Sequence, residues 1–98
     1  MSHTTIVGLC TVELYLPGLG SLKAKRSVIK PLLARLRKTF NISVAEVGHL
    51  DVWQSAAIAF VVVTNQSVHA SQTIDNVLKW LETNYPDLYV TNHEIEIL

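Results

Sequence analysis

The chain has 98 residues, enough for one domain with one hydrophobic core, and we expect residues 1–98 to form that domain. Apolar residues make up 49% of the chain, which predicts a folded protein, and no apolar run reaches the roughly 18–20 residues that would cross a bilayer. Eight Lys and Arg balance eight Asp and Glu, so the net charge by itself predicts no nucleic-acid partner.

The first predicted strand covers residues 5–16, a run of β-branched and apolar residues that ends at Pro17-Gly18. The single cysteine, Cys10, lies inside this run and has no second cysteine with which to form an internal disulfide. We expect it to be a small buried hydrophobe. Because the chain also begins without the positively charged segment of a signal peptide, we predict a cytoplasmic protein with no membrane association.

A strongly basic helix is predicted for residues 21–40, SLKAKRSVIKPLLARLRKTF, with Ser21 as its N-cap. This segment contains seven of the eight Lys and Arg residues, and no Asp or Glu lies between Leu14 and Ala45. Apolar residues recur at a spacing of three and four, which indicates one buried face. Pro31 removes one backbone hydrogen bond, but the apolar spacing continues in phase, so we expect one kinked helix.

The remaining elements are a second strand at residues 41–49, a third at 56–65, a second helix at 67–85 and a fourth strand at 88–98. The order β-α-β-β-α-β predicts an α+β, ferredoxin-like fold. In it, two helices cover one face of a four-stranded antiparallel sheet with strand order 4-1-3-2. We expect these residues to be buried beneath the helices: Ile29, Leu33, Leu36, Ile74, Val77 and Leu81.

The two central strands are apolar on both faces, although the helices can cover only one. A sheet open to water on one side normally alternates apolar with polar residues. Val7 and Leu9 in the first strand and Val61 and Val63 in the third break that alternation. We therefore predict a homodimer that covers the second face around these four residues.

The basic residues of the helix are grouped. At about 100° per residue, Lys23, Arg26, Lys30 and Arg37 fall on one stripe beside the apolar face, and Lys25 is expected on its other border. Cations at a helix start oppose the helix dipole, so this cluster needs an anion.

The anion is either a bound phosphate or the acidic remainder of the protein, for example Asp75 and Glu82 on the second helix. For the first alternative we predict a nucleic-acid-binding site that consists of Lys23, Lys25, Arg26, Lys30 and Arg37. Trp53, in the connection LDVWQS, is expected either to pin its loop to the core or to stack on a base.

No catalytic or metal-binding pattern is found in the sequence, and no cofactor is predicted. The four histidines lack metal-binding spacing, and the predicted strand order puts His49 and His93 about 14 Å apart on opposite edges. Glu46, His49 and Asp51 are close in sequence without a nucleophile at a recognisable spacing. This favours a polar edge strand and turn over a catalytic site.

The segments SLKAKRSVI and FNISVAEVGHLDVWQSA, with the apolar strand after them, resemble the YlxP-like family of small bacterial proteins. The resemblance covers nearly the whole chain, although the usual family helix lacks a proline at the position of Pro31. It implies a ferredoxin-like fold and no established activity. Family genes often lie beside genes for a translation initiation factor and a ribosome-maturation factor, which implies a ribosome-linked role.

Three functions stay open. The leading one is a non-catalytic accessory protein that binds structured RNA, such as ribosomal RNA, or a ribosome-associated protein through helix 21–40. The second is a homodimeric module whose basic helix docks an acidic protein. The third is a phosphate-handling enzyme with acylphosphatase-like topology, which the loop Pro17–Gly20 argues against because it contains no Arg.

Overall fold

The computed structural model describes residues 3–98. Its elements are β1 (Ile6–Tyr15), α1 (Leu22–Thr39), β2 (Ser43–Gly48), β3 (Ser55–Thr64), α2 (Ser67–Asn84) and β4 (Tyr89–Ile97). The strands form one antiparallel sheet in the order β2-β3-β1-β4. This confirms the α+β, ferredoxin-like fold, with every element within two residues of its predicted bounds.

The basic helix α1 begins where the sequence predicts and continues through Pro31 without a break. The Ser21 hydroxyl accepts a hydrogen bond of 3.0 Å from the backbone N–H of Ala24, which caps the helix start. Leu32 and Leu36, on the far side of the proline, are fully buried. Their packing offsets the single hydrogen bond that the proline ring removes.

The core lies between the helices and one face of the sheet. Along β1, Cys10, Val12 and Leu14 are buried while the residues between them are partly exposed, so alternate side chains face the helices. The six residues predicted to lie beneath the helices are all buried, which confirms that expectation.

Helix α2 lies close to the sheet at Gly8 of β1. A Cβ atom added at Gly8 would lie 3.1 Å from the Ala70 Cβ and 3.2 Å from the Ile74 Cδ1, tighter than ordinary van der Waals contact. A glycine in β1 and an alanine in α2 therefore allow the helix to rest on the sheet at this point.

The two edges of the sheet differ in length and protection. β2 has six residues and an irregular register between Glu46 and Gly48, whereas β4 has nine residues that are mostly exposed. Short, irregular edge strands resist pairing with other chains. No helix within residues 3–98 is long and apolar enough to cross a membrane.

We expect Leu36→Ala to lower the free energy of unfolding by about 2–5 kcal/mol, the usual range for a buried leucine. Leu36 is fully buried in the core, so truncation leaves a cavity between α1 and the sheet. Urea denaturation measures the loss. Lys38→Ala, an exposed substitution in the last turn of the same helix, serves as the control and should change the unfolding free energy by less than about 0.5 kcal/mol.

Cys10 should be inert in the folded protein, because burial raises the pKa of its thiol to about 11 and only the thiolate reacts readily. Labelling with a maleimide at neutral pH should be slow in buffer and rapid in guanidinium. Fast labelling of the folded protein would contradict this account.

The raised pKa of the Cys10 thiol also makes stability depend on pH. Above pH 9.0 the thiol of the unfolded chain loses its proton, whereas the buried thiol keeps its proton up to a pH of about 11. Stability should therefore decrease as the pH rises from 9.0 towards about 11.

Candidate nucleic-acid interface

Lys23, Arg26, Lys30 and Arg37 form one exposed row on α1, which we call the basic stripe. The row extends from Lys23 to Arg37, 14 steps along the helix and a rise of about 21 Å. At its end, an Arg37 guanidinium N–H donates a 2.9 Å hydrogen bond to the carbonyl of Val44 in β2. This contact shows that the basic stripe lies on the side of α1 next to the edge strand β2.

The basic stripe has no carboxylate partner in the described part of the chain. Within residues 3–98, the two carboxylates in contact with a basic side chain are Glu46, which pairs with Lys25, and Glu13, which lies against His49. Asp75 and Glu82 of α2, the alternative partners suggested by the sequence, are paired with none of the four cations. Internal neutralisation therefore does not explain the cations at the start of α1.

Lys25 is not part of this surface, which corrects its place among the predicted phosphate-binding residues. Lys25 is 2% exposed and belongs to the buried face of α1. Lys25 and Leu32 are seven residues apart, hence about 20° apart around the helix, so Lys25 points into the buried face and not to its border. A buried, paired ammonium is not accessible to an external phosphate.

The Lys25 ammonium joins α1 to both β2 and the loop that follows it. Its Nζ donates a 2.6 Å hydrogen bond to the carbonyl of His49 and lies 2.8 Å from Glu46 Oε2. Within residues 3–98 that carboxylate oxygen makes no hydrogen bond of good geometry, although it is buried, so its contact with Lys25 is mainly Coulombic. Lys25 is thus a structural cation.

His49 makes a second connection across the sheet. Its backbone has a φ of 58°, in the left-handed region, and its Nε2 lies 2.9 Å from Glu13 Oε2 of β1. β3 lies between these two residues, and its residue there is the small Ala57. The sequence cluster Glu46, His49 and Asp51 is therefore divided: Glu46 pairs with Lys25, His49 pairs with Glu13, and Asp51 is exposed in the loop.

Two features of the described residues bear on a metal-binding or catalytic role. Across the described residues, no three His, Cys, Asp or Glu side chains form a group that could hold a metal ion. An apolar groove of about 390 Å³ lies beside Pro17 and Leu19 of the β1–α1 turn, between α1 and the end of α2. None of the described residues that line it is a Lys or Arg, so the groove offers no cationic side chain to an anion.

The Arg35 side chain contacts residues at the end of α2. Its guanidinium lies 5.0 Å from the centre of the Trp80 ring and 5.2 Å from that of Tyr85. It also donates hydrogen bonds to the Tyr85 hydroxyl at 3.1 Å and to Asn84 Oδ1 at 3.4 Å. These cation–π and hydrogen-bond contacts tie α1 to the end of α2. The sequence alone did not indicate this role, because nothing in the spacing links Arg35 to residues fifty positions later.

Trp53 is 50% exposed, so it does not pin its loop to the core. The loop is held by its backbone, since the N–H of Leu16 donates a 2.8 Å hydrogen bond to the carbonyl of Gln54. The Lys25–His49 contact keeps the same loop beside the first turns of α1. Base stacking by Trp53 stays a prediction.

The four residues predicted for the dimer face are neighbours on the face of the sheet opposite the helices. Val7 lies directly opposite Val63, and Leu9 directly opposite Val61, in the pairing of β1 with β3. Val63 is 66% exposed and the other three are partly exposed. The sequence pattern thus located a real apolar surface.

These observations define a ferredoxin-like domain with one exposed basic helix and no metal-binding cluster among its described residues. The chain belongs to the family described as "Protein of unknown function (DUF503)", whose model matches residues 7–95. It is 30% identical over 83 residues to the "Uncharacterized protein YlxP" of Bacillus subtilis (strain 168), covering 85% of this chain and 89% of that protein.

A solved structure with the same fold is "De novo designed protein Foldit4", which superposes with a TM-score of 0.52 at 9% sequence identity. The similarity covers 96% of each chain. At this identity the similarity concerns the fold alone.

We expect Lys25→Met to destabilise the protein by about 3 kcal/mol, because it leaves the Glu46 carboxylate and the His49 carbonyl without their cation. The double variant Lys25→Met/Glu46→Gln should recover part of that loss by removing the unpaired charge. Urea denaturation of the two variants and of Glu46→Gln completes a double-mutant cycle. Equal stabilities for wild type and Lys25→Met would show that the ion pair is unimportant to the fold.

Proposed function

We propose that the protein is a non-catalytic accessory protein that binds the phosphates of structured RNA through the basic stripe. The observation that carries the proposal is that four exposed cations lie in one row with no carboxylate partner among the described residues. Lys and Arg side chains make most charged contacts with nucleic-acid phosphates, and a side chain without a protein partner is free to make them.

The arrangement of charge favours the helix side of the molecule over the open side of the sheet. Glu94 and Glu96 lie opposite Thr11 and Leu9 in the ladder, so they face the open side of the sheet together with Glu13. Some RNA-binding domains stack bases on an open sheet. Here the acidic side chains of that face repel phosphate, whereas the basic stripe attracts it.

Within the proposed site, the four residues differ in freedom. Lys23, Arg26 and Lys30 have no polar partner on their charged groups among the described residues. Arg37 uses one guanidinium nitrogen for Val44 and retains N–H donors for a phosphate, since a guanidinium has five. Because no base-reading motif accompanies them, we expect binding to follow RNA shape more than sequence. Ribosomal RNA is a structured RNA of the expected kind.

We expect the wild-type protein to bind an RNA hairpin with a stem of about 16 base pairs, with log affinity decreasing against log salt at a slope of roughly −3 to −4. Lys23→Ala/Arg26→Ala should flatten that slope by about 2 units, because two phosphate contacts are lost. Fluorescence anisotropy over a range of salt concentrations measures both slopes.

The matched control is Lys38→Ala/Lys79→Ala, which removes two exposed positive charges outside the basic stripe. Its salt slope should remain near the wild-type value. Equal slopes for the two double variants would mean that net charge, and not the stripe, sets affinity. If the hairpin binds wild type and Lys23→Ala/Arg26→Ala equally at low salt, RNA binding by the stripe is refuted. Tighter stripe-dependent binding of poly-L-glutamate than of the hairpin would favour an acidic protein partner.

A further inference from the structure

The open face of the sheet, on the side away from the helices, carries a continuous apolar patch. Val7 and Val63 are paired across β1 and β3, as are Leu9 and Val61. Leu98 extends the patch, because its backbone exchanges two hydrogen bonds with Val7. Val63 and Leu98 are each 66% exposed. Contiguous exposed apolar residues of this kind mark contact surfaces.

The charged residues of the open face are distributed unevenly across the strands. β4 contributes Glu94 and Glu96 along one edge. β2, at the opposite edge, contributes Ser43 and Ala45 to the same face, paired with Val61 and Ala59 of β3. The edge that has no acidic side chain on the open face is also the edge beside the basic stripe, as the Arg37–Val44 hydrogen bond shows.

We propose that a second copy of this chain covers the open face, in a two-fold dimer whose axis runs parallel to the strands, between β1 and β3. Rotation about this axis sets β4 of each copy over β2 of the other, and β1 over β3. The glutamates of β4 in one copy then lie over β2 of the other copy, which has no acidic side chain on this face. The basic stripe lies beside β2, so the charges of the two copies are complementary. This inference does not rest on RNA binding.

The ladder register fixes the expected contacts. Glu96, Leu9, Val61 and Ser43 form one row across the four strands, in that order. The proposed rotation reverses the row, so that Leu9 of one copy packs on Val61 of the other and Glu96 lies over Ser43. An axis perpendicular to the strands would instead set β4 over β4 and bring the glutamates of the two copies together, which like-charge repulsion opposes.

Pairing of two β4 edges is a less favourable way to join two copies, although β4 is long and exposed. In an antiparallel pair centred on Ile95, Glu94 of each copy would face Glu96 of the other. In a pair centred on Glu94, the Glu94 residues of the two copies would face each other, and like charges directly opposite are destabilising. A pair centred on His93 avoids this, but it is short because the register of β4 against β1 shifts between Asn92 and Val90.

The open face is large enough for a dimer. Four strands at about 4.8 Å spacing and about 30 Å of strand length give a footprint of about 600 Å² per copy, or about 1,200 Å² in total. That value lies at the lower limit for specific, stable interfaces. We therefore expect a reversible dimer that dissociates at micromolar concentration.

Sedimentation equilibrium between about 1 and 100 µM tests the surface. We expect wild type to be dimeric at the upper end and Val63→Lys to raise the dissociation constant at least about tenfold. Val68→Lys is the matched control, because Val68 is 58% exposed at the start of α2 and not on the open face. It should leave the constant within about twofold of wild type.

Leu9→Lys provides a second variant in case Val63→Lys folds poorly. Its lysine would lie opposite Glu96 in the ladder, where a cross-strand ion pair supports the monomer while the buried charge opposes dimerisation. A wild-type protein that stays monomeric throughout the range overturns the proposal and leaves the face to a different chain. Equal weakening by Val63→Lys and Val68→Lys overturns it as well.

Cross-linking through introduced cysteines tests the axis. When Ser43→Cys and Glu96→Cys proteins of different tag length are mixed and treated with a flexible bis-maleimide that can span the roughly 10 Å between packed sheets, we expect the mixed cross-link as the main product. The buried native Cys10 does not compete. Efficient self-linking of Glu96→Cys alone, with little mixed product, would refute the parallel axis.

Discussion

The ion pair of Lys25 with Glu46 is the contact on which the arrangement of the basic stripe depends. One ammonium, buried in the core-facing side of α1, binds a carboxylate of the edge strand β2 and a backbone carbonyl of the loop that follows it. It therefore fixes α1 against the edge of the sheet. It also holds the carbonyl of His49, whose backbone adopts the uncommon left-handed conformation. Without this contact, the helix and the loop would lose their only described polar connection.

The position of α1 determines where positive charge appears. With Lys25 turned inward and Arg35 held by Trp80 and Tyr85, the cations that stay exposed lie mainly on the side beside β2. The acidic residues of β4 lie at the other edge of the sheet. A chain with zero net charge is thus electrically asymmetric across its strands, and that asymmetry underlies both the RNA-binding proposal and the direction of the dimer axis.

The fold could be predicted from sequence because its determinants are local and periodic. The apolar spacing of residues 22–40, the cap at Ser21 and the alternation in β1 each specify an element without reference to distant residues. The role of Lys25 could not be predicted as easily, because a lysine is normally exposed and its partners lie more than twenty residues away. Its helical phase with Leu32 was the available signal. Arg35 offered no comparable signal, since its aromatic partners come from another helix.

The cations of α1 divide into those with internal partners and those without. A designed protein with 9% sequence identity shares the fold, so the fold by itself does not indicate a function. Lys25 and Arg35 have internal partners that account for their presence. Lys23, Arg26 and Lys30 have no internal partner for their charged groups among the described residues. Lys23 and Arg26 lie near the helix start, where a positive charge also opposes the helix dipole. Residues that cost stability and gain no internal contact are best explained by an external anion, which is why the stripe, and not the fold, carries the functional proposal.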